Sequence, residues 1–253
     1  GEVALAALPP ALRDLDVVQL ARRLQRKAPA TPATPAETPP TLSPEQQQVL
    51  AQIEAQDGPF LLFGATGSGK TEVYLQCAQR LLERDPAAQV LVMVPEINLT
   101  PQLEARFHAR FAPLYGAAAV VSMHSGMTPP QRLRSWLAAH QGTARIVLGT
   151  RMAVFASLPR LRLVVVDEEH DPSYKQQEGA RYSARDLAIF RGRQEQAKVL
   201  LGSATPSLES WHHSRPAEEG GRYVRLQMPS RIGAGSLPRV RRVDMNQQPR
   251  RAV

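Results

Sequence analysis

Phe60-Leu-Leu-Phe-Gly-Ala-Thr-Gly-Ser-Gly-Lys-Thr71 is an apolar run that opens into a glycine-rich loop, and its reading decides the fold. From Gly64 to Thr71 it fits G-x-x-x-x-G-K-[ST] at every fixed position. Phe60 to Phe63 reads as a short buried strand. Beyond the loop, Val73, Leu75, Ala78, Leu81 and Leu82 recur at roughly helical spacing up to about Arg84. A strand, a glycine-rich turn and a helix form the setting in which this pattern works. There Gly64, Thr66, Gly67, Ser68 and Gly69 let main-chain N–H groups close around phosphate oxygens, at the positive end of a helix dipole. Lys70 reaches the β and γ phosphates and the Thr71 hydroxyl faces Mg²⁺. The expected ligand is a nucleoside triphosphate with its Mg²⁺.

A second segment, Arg162-Leu-Val-Val-Val-Asp-Glu-Glu-His170, is a β-branched run ending in carboxylates and a histidine. Consecutive apolar residues suit a central strand of a parallel sheet, covered on both faces. Carboxylates at its C-terminal end fall in the crevice where open α/β sheets bind ligands. Asp167 is placed to hold Mg²⁺, and Glu168 is the candidate general base that polarises water. Further strands are expected at about 90–94, 118–122, 145–149 and 199–202, with a seventh through Tyr223-Val-Arg-Leu226. Helices are expected at about 71–84, 100–111, 129–140, 151–157 and 184–195. Such alternation predicts an α/β fold with a mostly parallel, doubly wound sheet, the order of a RecA-like P-loop NTPase lobe.

Composition sets the frame. The chain has 253 residues, 43% of them hydrophobic, enough for one large core with appendages. No apolar run of about 18 residues exists, so no segment reads as a membrane-spanning helix and no membrane partner is expected. Cys77 is the single cysteine, which excludes an internal disulfide or a four-cysteine zinc site and suits a reducing, cytoplasmic compartment. It reads as a small core residue on the helix after the loop. The net charge of +8 comes almost wholly from arginine and suits a polyanionic partner with salt-dependent binding.

Asp-Glu-Glu-His at 167–170 resembles the DExH box of superfamily 2 helicases. Ser203-Ala-Thr205 resembles their third motif, and Gly149-Thr150-Arg151 their motif Ib. Longer strings are more specific: Gly64 to Tyr74, Val94-Pro-Glu-Ile-Asn-Leu-Thr-Pro-Gln102, Asp167 to Gln176 and Leu201 to Ser210 resemble the PriA family of primosomal replication-restart helicases. The resemblance spans roughly Leu42 to Pro229. It implies an ATP-dependent 3′→5′ DNA helicase that recognises stalled forks and initiates replication restart, in the bacterial cytoplasm at the nucleoid. Single-stranded and forked DNA, primosome proteins and single-stranded DNA-binding protein are the partners implied.

The resemblance also implies roles. Pro95 and Thr100 of motif Ia, with Gly149, Thr150 and Arg151, would track the backbone of one DNA strand. Ser173 to Arg185 matches an aromatic-rich loop, in which Tyr174 and Tyr182 beside Lys175, Arg181 and Arg185 offer a stacking platform for bases, or an ordinary surface loop. Ala180 stands where the family commonly has an aromatic. His170 is expected to bond to Ser203 or Thr205, either coupling hydrolysis to strand grip or satisfying core hydrogen bonds. Gln46 carries two readings: a capping-box partner of Ser43, or the family's adenine-reading glutamine.

By this reading residues 1–15 are the end of an N-terminal DNA-binding domain and 16–41 a short helix and Pro-rich linker. Residues 42–230 form the first helicase lobe, and 231–253 begin a connection to a second lobe. No room exists for the family's winged-helix domain, no Q-x-x-G-R-x-x-R motif occurs, and ligands for the family's zinc are not in this chain. Either a piece of a larger protein or one that has lost its second lobe is expected, the start in mid-domain favouring the piece, and it is expected to be inactive alone without a second lobe's arginine finger. The alternative is a non-hydrolysing ATP- and DNA-binding scaffold for primosome loading.

Overall fold

The structure, a computed structural model, describes residues 8–13, 15–24 and 39–231. Readings that fall on residues 1–7, on most of the Pro-rich linker and on 232–253 lie outside the described residues. Two short helices come first, α1 (Pro10–Arg13) and α2 (Val17–Leu24). The main body follows as α3 (Pro44–Ala55), β1 (Phe60–Gly64), α4 (Lys70–Arg84), β2 (Gln89–Met93), α5 (Pro101–Tyr115) and β3 (Val120–Met123). Next are α6 (Pro129–Gln141), β4 (Ile146–Gly149), a 3₁₀ segment (Arg151–Phe155) and β5 (Leu161–Val166). The chain continues as β6 (Lys175–Gln176), β7 (Tyr182–Ser183), α7 (Ala184–Glu195), β8 (Lys198–Ser203), α8 (Leu208–His213) and β9 (Val224–Met228).

Seven strands form one sheet in the order β3-β4-β2-β5-β8-β1-β9. Every pairing in it is parallel. Because side chains alternate across a strand, each strand feeds two cores. Val90 and Val92 join Tyr74, Leu82 and Phe107 on one face, while Leu91 and Met93 join Val154, Ala188 and Leu201 on the other. This is the RecA-like, doubly wound α/β lobe expected from the sequence. The order has one consequence for chemistry: β8 lies between β5 and β1. The loop after β1, the carboxylates after β5 and the end of β8 therefore meet along one edge.

Differences are local. Residues 151–155 form a 3₁₀ segment rather than an α-helix through 157. Helix α5 runs past Pro113 to Tyr115, because a proline in the last turn removes one N–H without ending the cylinder. The segment after the acidic strand contains a two-stranded antiparallel ribbon, β6 with β7, which no periodicity signalled. Helix α1 packs against α6.

Candidate nucleotide site

The phosphate loop is shaped by its glycines. Gly67 and Gly69 sit at φ 83° and 85°, in the left-handed region that a side chain resists. Gly69 is the N-cap of α4, and no side chain caps that helix. The first N–H groups of a helix have no carbonyl a turn earlier, so those of Lys70 and Thr71 are open to an anion. Ser68 Oγ is buried and finds no hydrogen-bond partner among the described residues. Lys70 is only 8% exposed; its Nζ donates to the Gly64 carbonyl at 2.9 Å and lies 3.9 Å from Glu168 Oε1. The ammonium thus spans the hollow of the loop and points at the acidic strand end.

Across β8 stand the carboxylates. Asp167 N–H donates to the Met93 carbonyl at 2.8 Å, continuing the β5–β2 ladder. Burial raises the Asp167 carboxyl above the usual range, against a hydrogen bond from Tyr74 that lowers it. Glu168 adopts φ 45°, a left-handed kink at a non-glycine residue of the kind that clusters at functional sites. Its kink turns Glu168 toward Lys70 while Glu169 points the other way. Thr71 hydroxyl and Asp167 carboxylate are hard oxygen donors, the set Mg²⁺ prefers. With an uncapped helix start and an unpaired buried hydroxyl, these residues fit a Mg²⁺–triphosphate.

The expected coupling residues come together. His170 Nδ1 lies 2.8 Å from Ser203 Oγ, and its Nε2 lies 3.2 Å from Thr205 Oγ1. Nδ1 is also 3.7 Å from Glu168 Oε2, so the histidine touches both the candidate base and the third motif.

Comparison with known proteins decides the family. The DEAD/DEAH box helicase family matches residues 43–213. The chain belongs to the DEAD/DEAH box helicase family. It is 42% identical over 233 residues to the Replication restart protein PriA of Synechocystis sp., covering 90% of this chain and 27% of that protein. With the PriA of Haemophilus influenzae the identity is 41% over 226 residues, 88% of this chain and 30% of the other. The resemblance read from the motifs is borne out by these relatives, of whose length this chain spans less than a third. The DEAD-box helicase Mss116, solved with ssRNA and UDP-BeF, superposes with a TM-score of 0.54 at 20% identity, over 75% of this chain and 40% of that one; this likeness shows the fold. Membership of this helicase family carries the use of a nucleoside triphosphate with Mg²⁺.

The expected DNA-facing residues divide. Thr100 caps α5 by accepting from Leu103 N–H at 3.3 Å and stays half-buried. Pro95, Gly149 and Thr150 are buried. A side chain at Gly149 would collide with Ala153 and the Met123 carbonyl, and Thr150 N–H already donates to that carbonyl. Arg151 is half-buried, its Nη1 donating to the Ser173 and Lys175 carbonyls at 2.8 and 3.3 Å. Lys175 and Arg181 are exposed, and Tyr182 packs its ring edge against Phe155.

Two readings of the loop are corrected. Tyr174 is 2% exposed and its hydroxyl donates to the Asp167 carbonyl at 2.7 Å, so it has no face to offer a base. Arg185 is likewise buried and pairs with Glu169 and Asp186. Gln46 satisfies the capping box and also donates from Nε2 to the Gly69 carbonyl at 3.2 Å.

Sequence reasoning passed over Glu169 and Tyr74. Glu169 is 1% exposed and accepts hydrogen bonds from Ser207 N and Oγ, Ser210 Oγ and Arg185 Nη1. It fixes the start of α8. Only a carboxylate followed a fixed distance later by Ser-x-x-Ser could have hinted at it.

Proposed function

We propose that the chain is the first motor lobe of an ATP-dependent 3′→5′ DNA helicase that recognises stalled forks and initiates replication restart. The observation that carries this is the meeting, along one sheet edge, of Lys70, Asp167 and Glu168 with a His170–Ser203–Thr205 contact. Residues 42–230 would form the lobe, with 1–15, 16–41 and 231–253 as the end of a DNA-binding domain, a linker and a connection to a second lobe. A helicase motor is favoured over a passive scaffold, because a scaffold needs neither a base at Glu168 nor a histidine bridging it to the third motif.

In this reading Lys70 and the N–H groups at the start of α4 bind the phosphates. Gln46 sits at the edge of that loop, where an adenine reader belongs. Thr71 and Asp167 would hold the Mg²⁺, which would supply positive charge beside the phosphates. Glu168 takes the proton of the attacking water. His170 passes the state of the site to Ser203 and Thr205. Single-stranded and forked DNA would lie across Pro95, Thr100, Gly149, Thr150 and Arg151, with Lys175, Arg181 and Tyr182 at its side. The buried members shape the track and the exposed cations meet phosphate. Primosome proteins, single-stranded DNA-binding protein, a zinc held outside this chain and a place at the bacterial nucleoid in the cytoplasm belong to the same proposal.

Calorimetric titration with ATP and Mg²⁺ tests it. The chain binds weakly, having one lobe of a two-lobed cleft, and Lys70→Ala abolishes binding. Equal affinity for both proteins refutes the loop's assignment.

A further inference from the structure

We infer that Tyr74 is a positioning residue for the metal side of the nucleotide site, its hydroxyl orienting the Asp167 carboxylate. The inference rests on the nucleotide reading above and adds a residue to it. Tyr74 lies on α4 one turn beyond Thr71, and its side chain is almost wholly buried in the core. Its hydroxyl donates to Asp167 Oδ1 at 2.7 Å, a charge-assisted bond to the carboxylate that would hold Mg²⁺.

The route of this bond is specific. Tyr74 starts from the helix after β1, Asp167 directly follows β5, and β8 runs between those strands. The hydroxyl crosses β8 at Gly202. A Cβ built there would fall inside the hydroxyl oxygen and 3.3 Å from Asp167 Oδ1. Gly202 has an ordinary negative-side backbone, so no turn demands a glycine; the space it leaves is taken up by the Tyr74 hydroxyl. A phenylalanine would fill the core equally well and would spare the burial of a polar group. The oxygen is therefore accounted for by its partner.

The arrangement joins both halves of the metal site to one rigid piece. Thr71 and Tyr74 are on the same helix face region within a turn, so the helix that offers the hydroxyl to Mg²⁺ also aims the carboxylate opposite. Tyr174 adds a second hydroxyl, donating to the Asp167 main-chain carbonyl at 2.7 Å. Groups that orient a metal's direct ligands in this way typically change metal affinity by about 10-fold or more when removed.

The test is ATP binding by the whole chain, measured by calorimetry across a Mg²⁺ series and again in EDTA. Tyr74→Phe keeps the ring and deletes the oxygen. It should raise the Mg²⁺ concentration for half-maximal ATP binding by about 10-fold while leaving binding in EDTA unchanged. Gly202→Ala displaces the hydroxyl by bulk and should give the same rise, with its thermal midpoint recorded separately to score the cost of crowding. An unchanged Mg²⁺ dependence in Tyr74→Phe overturns the inference. So does a loss of affinity that is equal with Mg²⁺ and in EDTA, which marks a packing role alone. If the unmutated chain binds no ATP at any Mg²⁺ concentration, the nucleotide reading itself has failed and the inference falls with it.

Discussion

Glu169→Ala should be among the most damaging single substitutions in the lobe, although Glu169 touches no part of the candidate chemistry. Its carboxylate, 1% exposed, accepts from Ser207 N at 2.7 Å, Ser207 Oγ at 3.0 Å, Ser210 Oγ at 2.8 Å and Arg185 Nη1 at 3.2 Å. Truncation leaves the buried Arg185 guanidinium with the Ser207 hydroxyl and the exposed carboxylates of Asp186 and, at 4.0 Å, Glu209, and it removes the acceptor of the Ser207 N–H at the N-cap of α8. Removing one partner of a buried ion pair costs about 3–5 kcal/mol. In a domain of this size that lowers the melting temperature by about 10 °C. Glu169→Gln is the sharper probe. It keeps an acceptor for Ser207 N–H but turns an amide toward the Arg185 cation, for a loss of about 1–3 kcal/mol. Urea unfolding followed by tryptophan fluorescence reads both, since Trp211 lies on α8 itself. A loss below about 1 kcal/mol for the alanine variant refutes the reasoning.

Two further outcomes follow from the surface and from the lone thiol. Single-stranded DNA binding should be non-specific and salt-dependent, with a log–log slope of about −0.7 per phosphate contact. Lys175→Ala and Arg181→Ala, both at exposed side chains, should each remove about one such contact, and a slope near zero by filter binding counts against the DNA track. Burial pushes the Cys77 thiol up to about 12. A folded value raised above the unfolded one favours the protonated thiol in the native state, so alkylation at pH 8 should be far slower in the native chain than in urea. The same sign means that Cys77 contributes stability below its unfolded value, lost as pH climbs toward 12. Equal alkylation rates in native and unfolded chain, by mass spectrometry, would refute the assignment.

Much of this lobe is legible in its sequence because its signals are local. The apolar runs of β1, β5 and β8 and the loop between β1 and α4 each carry their meaning within about a dozen residues. Lys70, Asp167, Glu168 and His170 stand out in the sequence for that reason: Lys70 opens the helix after β1 and the other three follow the end of β5, elements whose type is plain from their neighbours. What stays hidden depends on which strands are adjacent. Tyr74 reads as one more apolar position of α4, and Gly202 as part of a strand, until β8 is placed between β5 and β1. Tyr174 reads as a loop aromatic until the turn after β5 folds its hydroxyl back onto Asp167. Glu169 looks like a repeat of Glu168, and only the kink at Glu168 sends the two carboxylates to opposite sides.

Gln46 uses both ends of its amide, and only its capping-box reading is met by these contacts. Its Oε1 accepts the Ser43 N–H at 2.9 Å, closing the capping box that starts α3. Its Nε2 donates to the carbonyl of Gly69, the N-cap of α4 at the end of the phosphate loop. A glutamate would serve the cap as well as glutamine does, since both offer an oxygen three residues into a helix. It would also set a carboxylate against the Gly69 carbonyl, with nothing to donate. The amide is the one side chain of that length that accepts at one end and donates at the other. The start of α3 is thereby tied to the loop that would cradle phosphate.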